Sequence, residues 1–350
     1  MSNITSPSSS PAPGSSMTHR NSRNPFVFDA GDVPIRVSYK GEVRVGKVCS
    51  QALIHGSAVW KKFVFPPWNV SRIDHSLPES SKSAVKSCSS TGSFEEINFI
   101  EDDGEALLVL MNIIHLKHRL VPRKLQFSAL LQIAVLREKY MCVQLVQPWL
   151  KTWNDNLELR SKYPLAEQVL YTHWVFGQEE EFEKIAKAMV LDVKTSEKGE
   201  RLNKYKWLWA EPYPPDIVEH IFRIRQQTIT NLLAIPYAMV SKYERTNDNI
   251  CQLGDISGED NACDAISWGS LTRGMQLAGL WPIKPSEQIY LSVDEVVSAI
   301  ESIHIYHFHT HTDCGKSNFQ QDVARVLRRI ESPVMEAHRR HMARQREGVD

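Results

Sequence analysis

LLQIAVLREKYMCVQLVQPWLKTW, residues Leu130 to Trp153, reads as two helices meeting at Lys139–Tyr140. In the first, Leu130, Leu131, Ala134 and Val135 share a face. In the second, Cys142, Leu145, Val146 and Trp149 keep the i, i+3, i+4, i+7 spacing of an apolar stripe. Pro148 falls inside that pattern and predicts a kink or an early end, because proline has no amide hydrogen to donate to the preceding turn. Nothing in the stretch can do chemistry. An αα-hairpin of this kind must bury its stripes on a partner surface, and that surface is expected upstream.

Upstream, Val33, Ile35, Val37 and Tyr39 alternate with polar or small residues, the pattern of a strand with one buried face. Lys40-Gly41 supplies a tight turn, and Val43 and Val45 continue the alternation on a second strand. Ser57 is placed to cap a short helix carrying Val59, Trp60 and Phe63. Ile97 and Phe99 form a third short strand. Asp102 or Asp103 then caps a helix whose buried stripe is Leu107, Leu110, Met111 and Ile114. Two Ser/Pro-rich stretches, residues 1–25 and about 66–93, have too few apolar residues to offset the entropy of ordering and are expected to be disordered.

Taken in order, these residues resemble a BTB/POZ domain. The resemblance rests on Gly31-Asp32-Val33 opening a hairpin, Ser50-Gln51-Ala52-Leu53, Ser57, Val59-Trp60 and Phe63, Ile97-x-Phe99-x-Glu101-Asp102-Asp103, and Ala134-x-Leu136-x-x-Lys139-Tyr140-x-Cys142. The form it is most similar to is the divergent one of filamentous fungi, with a helical C-terminal region. It covers residues 26–153. It implies an α+β domain, a small mixed sheet with helical hairpins, that serves protein–protein association and has no catalytic residues. It also implies homo- or hetero-association in scaffold or transcription-related roles, or recruitment of a cullin-type ubiquitin ligase. Members often pair the Asp aligned with Asp32 with a basic residue where this chain has Gln51, so a charged pocket is in doubt. Phe94-Glu95-Glu96 fits the hydrophobic-x-Glu pattern of cullin binders, and equally the start of an ordinary strand.

The C-terminal half reads as a helical domain over 154–318 and a basic helix over 319–350. Its stripes are Leu165, Val169, Leu170 and Trp174, then Phe182, Ile185, Ala186 and Met189, then Ile217, Ile221, Ile224 and Thr228, then Val293, Val296, Val297 and Ile300. Trp207 and Trp209 read as core or interface anchors. The tail carries Val323, Val326, Leu327 and Ile330 on one face, and seven arginines from Arg325 to Arg346 make it basic. A solvated helix covering the preceding domain is the expected reading, ahead of a partner-binding or nucleic-acid helix.

One constellation suggests chemistry. Cys251 and Cys263 flank a Gly/Asp/Asn loop, and His304, His307, His309, His311 and Cys314 follow. Four Cys/His ligands in a tetrahedron suit zinc, and Cys251, Cys263, His309, His311 and Cys314 are the candidates for a structural site. Cys251 and Cys263 stand twelve apart, which is not the spacing of a zinc knuckle. The sequence therefore favours a polar loop with solvated histidines and buried free cysteines over bound metal.

Formal net charge is zero, from 41 basic and 41 acidic residues, so nucleic acid is not expected as a partner. No apolar run reaches the length of a membrane span and no secretory pattern is present, which reads as an intracellular protein of nucleus or cytoplasm. No cofactor is expected, and a structural zinc at that cluster is the one alternative. The function expected is a non-enzymatic association module. Its alternatives are a cullin adaptor and a metal-dependent enzyme at the His/Cys cluster 304–314. Asp32, Val33, Ile35 and Val37 are the expected contact residues, on a strand edge free to pair across a two-fold axis over roughly 800 Å² per partner. On that reading Ile35→Asp disrupts either the fold or the association.

Overall fold

The computed structural model describes residues 24–66, 94–155, 166–203, 205–206, 208–209, 211–253, 258–309, 311, 314 and 319–348. The expectations for residues 1–23, for 67–93, for Leu165 and for Trp207 lie outside them.

Strands β1 (Val33–Tyr39) and β2 (Glu42–Val48) pair antiparallel across Lys40-Gly41, both at positive φ (53° and 80°), as a two-residue hairpin turn requires. That turn sets Tyr39 opposite Glu42, Ser38 opposite Val43 and Arg36 opposite Val45. Val43 and Val45 therefore face outward, 57% and 54% exposed, and the buried positions of β2 are Gly46 and Val48. The expected alternation is right in period but places the wrong face inward, because turn geometry and not hydrophobicity fixes the register. The other side of β1 takes β3 (Ile97–Phe99) in parallel, so the sheet order is β2-β1-β3. This contradicts the expected free edge. β1 is central, and Val33, Ile35 and Val37 are fully buried.

Between β2 and β3 come α1 (Ser50–Gly56) and α2 (Ala58–Val64). Ser57 caps α2: its Oγ accepts from the amides of Val59 and Trp60 at 3.1 and 3.0 Å and donates to the Tyr140 carbonyl. Helix α3 (Gly104–Ile114) is capped by Asp103, which accepts from the Ala106 amide at 2.8 Å. Asp102 is instead buried, accepting from Lys139 Nζ at 2.6 Å and from the Tyr140 hydroxyl. A Cβ on Gly104 would lie 2.1 Å from the Ser38 carbonyl oxygen, so only glycine lets α3 start this close to β1.

The hairpin is α4 (Phe127–Tyr140) and α5 (Val143–Asp155), joined at Met141 with φ 48°. The early end does not occur: α5 continues through Pro148 to Asp155. α4 buries Leu130, Leu131, Ile133, Ala134, Leu136, Arg137 and Tyr140, which is more than one stripe. The extra burial has a cause: α3 packs on one side of α4 and α6 (Ala166–Val175) on the other. The apolar core therefore does not close at Trp153. It runs from Phe26 through α6, α7 (Glu179–Asp192) and the first half of α8 (Ile217–Arg245), and takes in Met342 near the end of the chain. The expected boundary between 153 and 154 is not a boundary in packing.

A two-stranded pair, β4 (Lys194–Thr195) with β5 (Arg201–Leu202), follows α7. The second half of α8 joins α9 (Glu259–Leu277), α10 (Val293–Glu301) and α11 (Phe319–Leu327) around a second core. Ser292 and Glu295 form a capping box at the start of α10. Arg225 of α8 is fully buried beside this junction. It donates to the carbonyls of Val193 (3.0 Å), Ile289 (3.0 Å) and Leu291 (2.6 Å), and burial lowers its pKa to about 10.

The tail is not one helix. α11 ends at Leu327, and α12 (Glu336–Glu347) begins after Pro333. α11 packs on the second core and α12 on the first. Arg339 of α12 pairs with Glu179 and, at 3.1 Å, with Glu183, and His341 stacks on Trp174 at 3.8 Å. Buried Arg137 reaches the carbonyls of Val175 and Gln345, bracing α12 against α4 and α6.

Candidate functional sites

Of the expected contact residues, only Asp32 lies at the surface, and it is engaged. Its carboxylate accepts from the Ser50 amide at 2.7 Å and the Ser50 hydroxyl at 2.6 Å, and so caps α1. Phe94 packs against the first core and meets Phe65 edge-on, while Glu96 is held by Arg36 at 2.7 Å. In this arrangement the Phe94-Glu95-Glu96 trio leads into β3, which starts at Ile97.

The surface the sequence did not point to is a groove of about 600 Å³ between α1, the end of α3 and α5. Its apolar walls come from Ile113, Ile114, Leu116, Leu145, Pro148 and Trp149. Leu116 stands two residues past α3 with φ 57° and is 77% exposed. Its amide and that of Lys117 bond back to the carbonyls of Ile113 and Asn112, which ends the helix in the manner usually given to glycine. Leu120, four residues on, is 64% exposed. No sequence signal marks Leu116, since leucine is not a residue that predicts a left-handed turn. A larger hollow of about 880 Å³ is lined by residues of α4, α6 and α7 together with Asn154 and Arg346.

The cysteine–histidine cluster forms where α8 ends and α9 begins. Cys251 lies on the loop after α8, Cys263 one turn into α9, and His311 and Cys314 on the segment between α10 and α11. The Cys251 and Cys263 sulfurs and a ring nitrogen of His311 all lie within 4.8 Å of one another, and all three residues are buried. His311 Nδ1 is 3.2 Å from Cys251 Sγ, and its Nε2 is 3.6 Å from Glu259 Oε2. The Cys314 amide donates to the His311 carbonyl at 3.3 Å. Cys314 is buried and packs with Cys251 and Cys263 under Phe308. Burial first, then those sulfurs, push its pKa up to about 12.

Asp264 holds the loop in shape, accepting from the amides of Ile250 (2.6 Å) and Cys251 (3.0 Å). His309 is exposed on a neighbouring turn and stands outside the cluster. His307 bonds Ser267 Oγ at 2.9 Å. The alternating histidines therefore do not share one ligand face, because the segment turns at Phe308–His311 and is not extended. Glu259 and Asp264 were not legible as supporting groups. Their only signal was acidic side chains within one turn of Cys263 on a helix start.

The chain matches no family model, no curated protein and no solved structure. Among the described residues, no helix is long and apolar enough to cross a membrane.

Proposed function

We propose that the chain is a non-enzymatic protein-association module, BTB/POZ-like in its N-terminal unit. It acts as a scaffold by holding an apolar segment of a protein partner in the groove between α1, the end of α3 and α5. Leu116 carries this reading. A non-glycine residue in the left-handed region costs about 1 kcal/mol, and at 77% exposure the leucine regains none of it through burial within the chain. Strain and exposed apolar surface kept together at one position support a role outside the fold. The mixed sheet with helical hairpins packed on it is the arrangement the BTB/POZ resemblance implies, and it supports the same reading.

The test is Leu116→Asn in the full chain. Asparagine tolerates the left-handed region, so the fold gains up to about 1 kcal/mol in urea unfolding. Association is expected to weaken, read as a lower mass by light scattering or as fewer proteins retained from extract of the source cells. A cullin among the proteins lost would make the scaffold a ligase adaptor. An unchanged mass together with an unchanged set of retained proteins would sink the proposal.

A further inference from the structure

We propose that Cys251, Cys263, His311 and Cys314 hold one structural zinc ion, which staples the loop after α8, the first turns of α9 and the segment leading into α11. Three lines of geometry carry this. Three of the four donor atoms are already gathered. Zinc–thiolate bonds of about 2.3 Å in a tetrahedron set neighbouring sulfurs about 3.8 Å apart, and the Cys251, Cys263 and His311 donors lie within 4.8 Å of one another. Closing round an ion needs a contraction of about 1 Å. The gathered donors are two sulfurs and one imidazole, and the Cys314 sulfur, packed in the same buried cluster, supplies the fourth, together the soft mixture that selects zinc over hard cations.

The supporting shell is also in place. His311 turns Nδ1 to the Cys251 sulfur at 3.2 Å and Nε2 toward Glu259 at 3.6 Å, so a small approach of that carboxylate completes the carboxylate–histidine arrangement that orients a ligating ring. Asp264 fixes the backbone that carries Cys251. On binding, three thiol protons leave to solvent, and a zinc ion with three thiolates and a neutral imidazole keeps one negative charge. A disulfide would use two of the sulfurs, strand the third and leave His311 without a purpose. Once Cys314 closes in as the fourth ligand under Phe308, no coordination position stays open for a substrate, so the site is structural and not catalytic. The candidate set from the sequence thus loses His309 and keeps the other four.

The experiment uses the full-length chain. Elemental analysis after purification without chelator is expected to find one zinc per chain, and a chelator is expected to lower the melting temperature. Exchange of zinc for cobalt(II) should give a tetrahedral spectrum with a thiolate charge-transfer band. Cys314→Ser should cut that band by about a third, from three thiolates to two. His309→Ala should leave metal content unchanged while His311→Ala lowers it, and Glu259→Ala should weaken zinc affinity about tenfold or more. A folded, metal-free protein whose melting ignores the chelator overturns the site. So does an undiminished charge-transfer band in Cys314→Ser, or equal metal loss in the two histidine variants. The cobalt spectrum and chelator response of the unmutated chain decide the matter even if a cysteine variant fails to fold.

Discussion

At the scale of single residues, the two buried arginines show how stability is concentrated. Arg225 spends its guanidinium on three backbone carbonyls from two separate segments. Arg225→Met keeps the apolar stem and strips the donors, leaving buried acceptors without partners. The expected loss is about 3 kcal/mol in urea unfolding. Arg225→Lys should recover only part of it, since an ammonium lacks the planar fork that reaches several acceptors at once. A loss under about 1 kcal/mol would show that water replaces the guanidinium. Ile35→Asp is now expected to abolish folding, because Ile35 is fully buried in the central strand and offers no surface to a partner. The caps Ser57 and Asp103 were legible in sequence because capping depends on a side chain and an amide two or three residues on. The acceptors of Arg225 and Arg137 were not, because they lie 32 to 66 residues from Arg225 and 38 to 208 residues from Arg137.

At the scale of elements, periodicity told which stretches are helical and much less about how many sides each one buries. α4 looked like one wall of a hairpin and is packed on two sides. The reason is that its second neighbour, α6, arrives later in the chain and carries no mark in the α4 sequence itself. The tail misled differently. Its arginines suggested a solvated helix, yet Arg339 is taken by Glu179 and Glu183, and α12 lies against Gly177. Gly177 sits at φ 71°, and a Cβ there would stand 2.7 Å from the Met342 carbonyl oxygen. Gly177→Ala is expected to destabilise the chain by about 2 kcal/mol, from backbone strain plus displacement of α12. Hydrogen exchange should show the loss of protection over 336–347 first and over α8 least. Equal protection in α12 before and after would refute the contact.

At the scale of the whole molecule, four histidines set an acid limit. His115, His173, His338 and His341 are each held below the ordinary imidazole value, with burial the largest cause, and His341 is lowered to about 4. The unfolded chain takes up their protons near pH 6.5, while the folded chain refuses them until the pH is lower. Stability is therefore complete above about pH 6.5 and is lost as pH falls toward the folded values, by up to about 1.4 kcal/mol per pH unit for each ring. Urea midpoints at about pH 7.5 and about pH 5.5 should differ accordingly. His341→Phe, which keeps a ring against Trp174, should flatten the slope. A midpoint that does not move with pH would refute the assignment. The α+β class and most helices could be read from the sequence at this scale. The single core shared across residue 153 could not, because it depends on contacts such as Met342 with the first core that no local pattern records.

Helix α8, 29 residues long, enters one core with Ile217 and Ile221 and leaves through the other with Leu232 and Val240. It acts as a common axle. Neither half can melt while the other keeps its share of that helix intact, so the chain is expected to lose structure in one cooperative step. A fragment ending at Trp153 would expose the faces of α4 that α6 and α12 cover. The smallest unit that keeps the first core covered is therefore larger than the N-terminal sheet and its hairpins, and any grafted version must carry the axle with it.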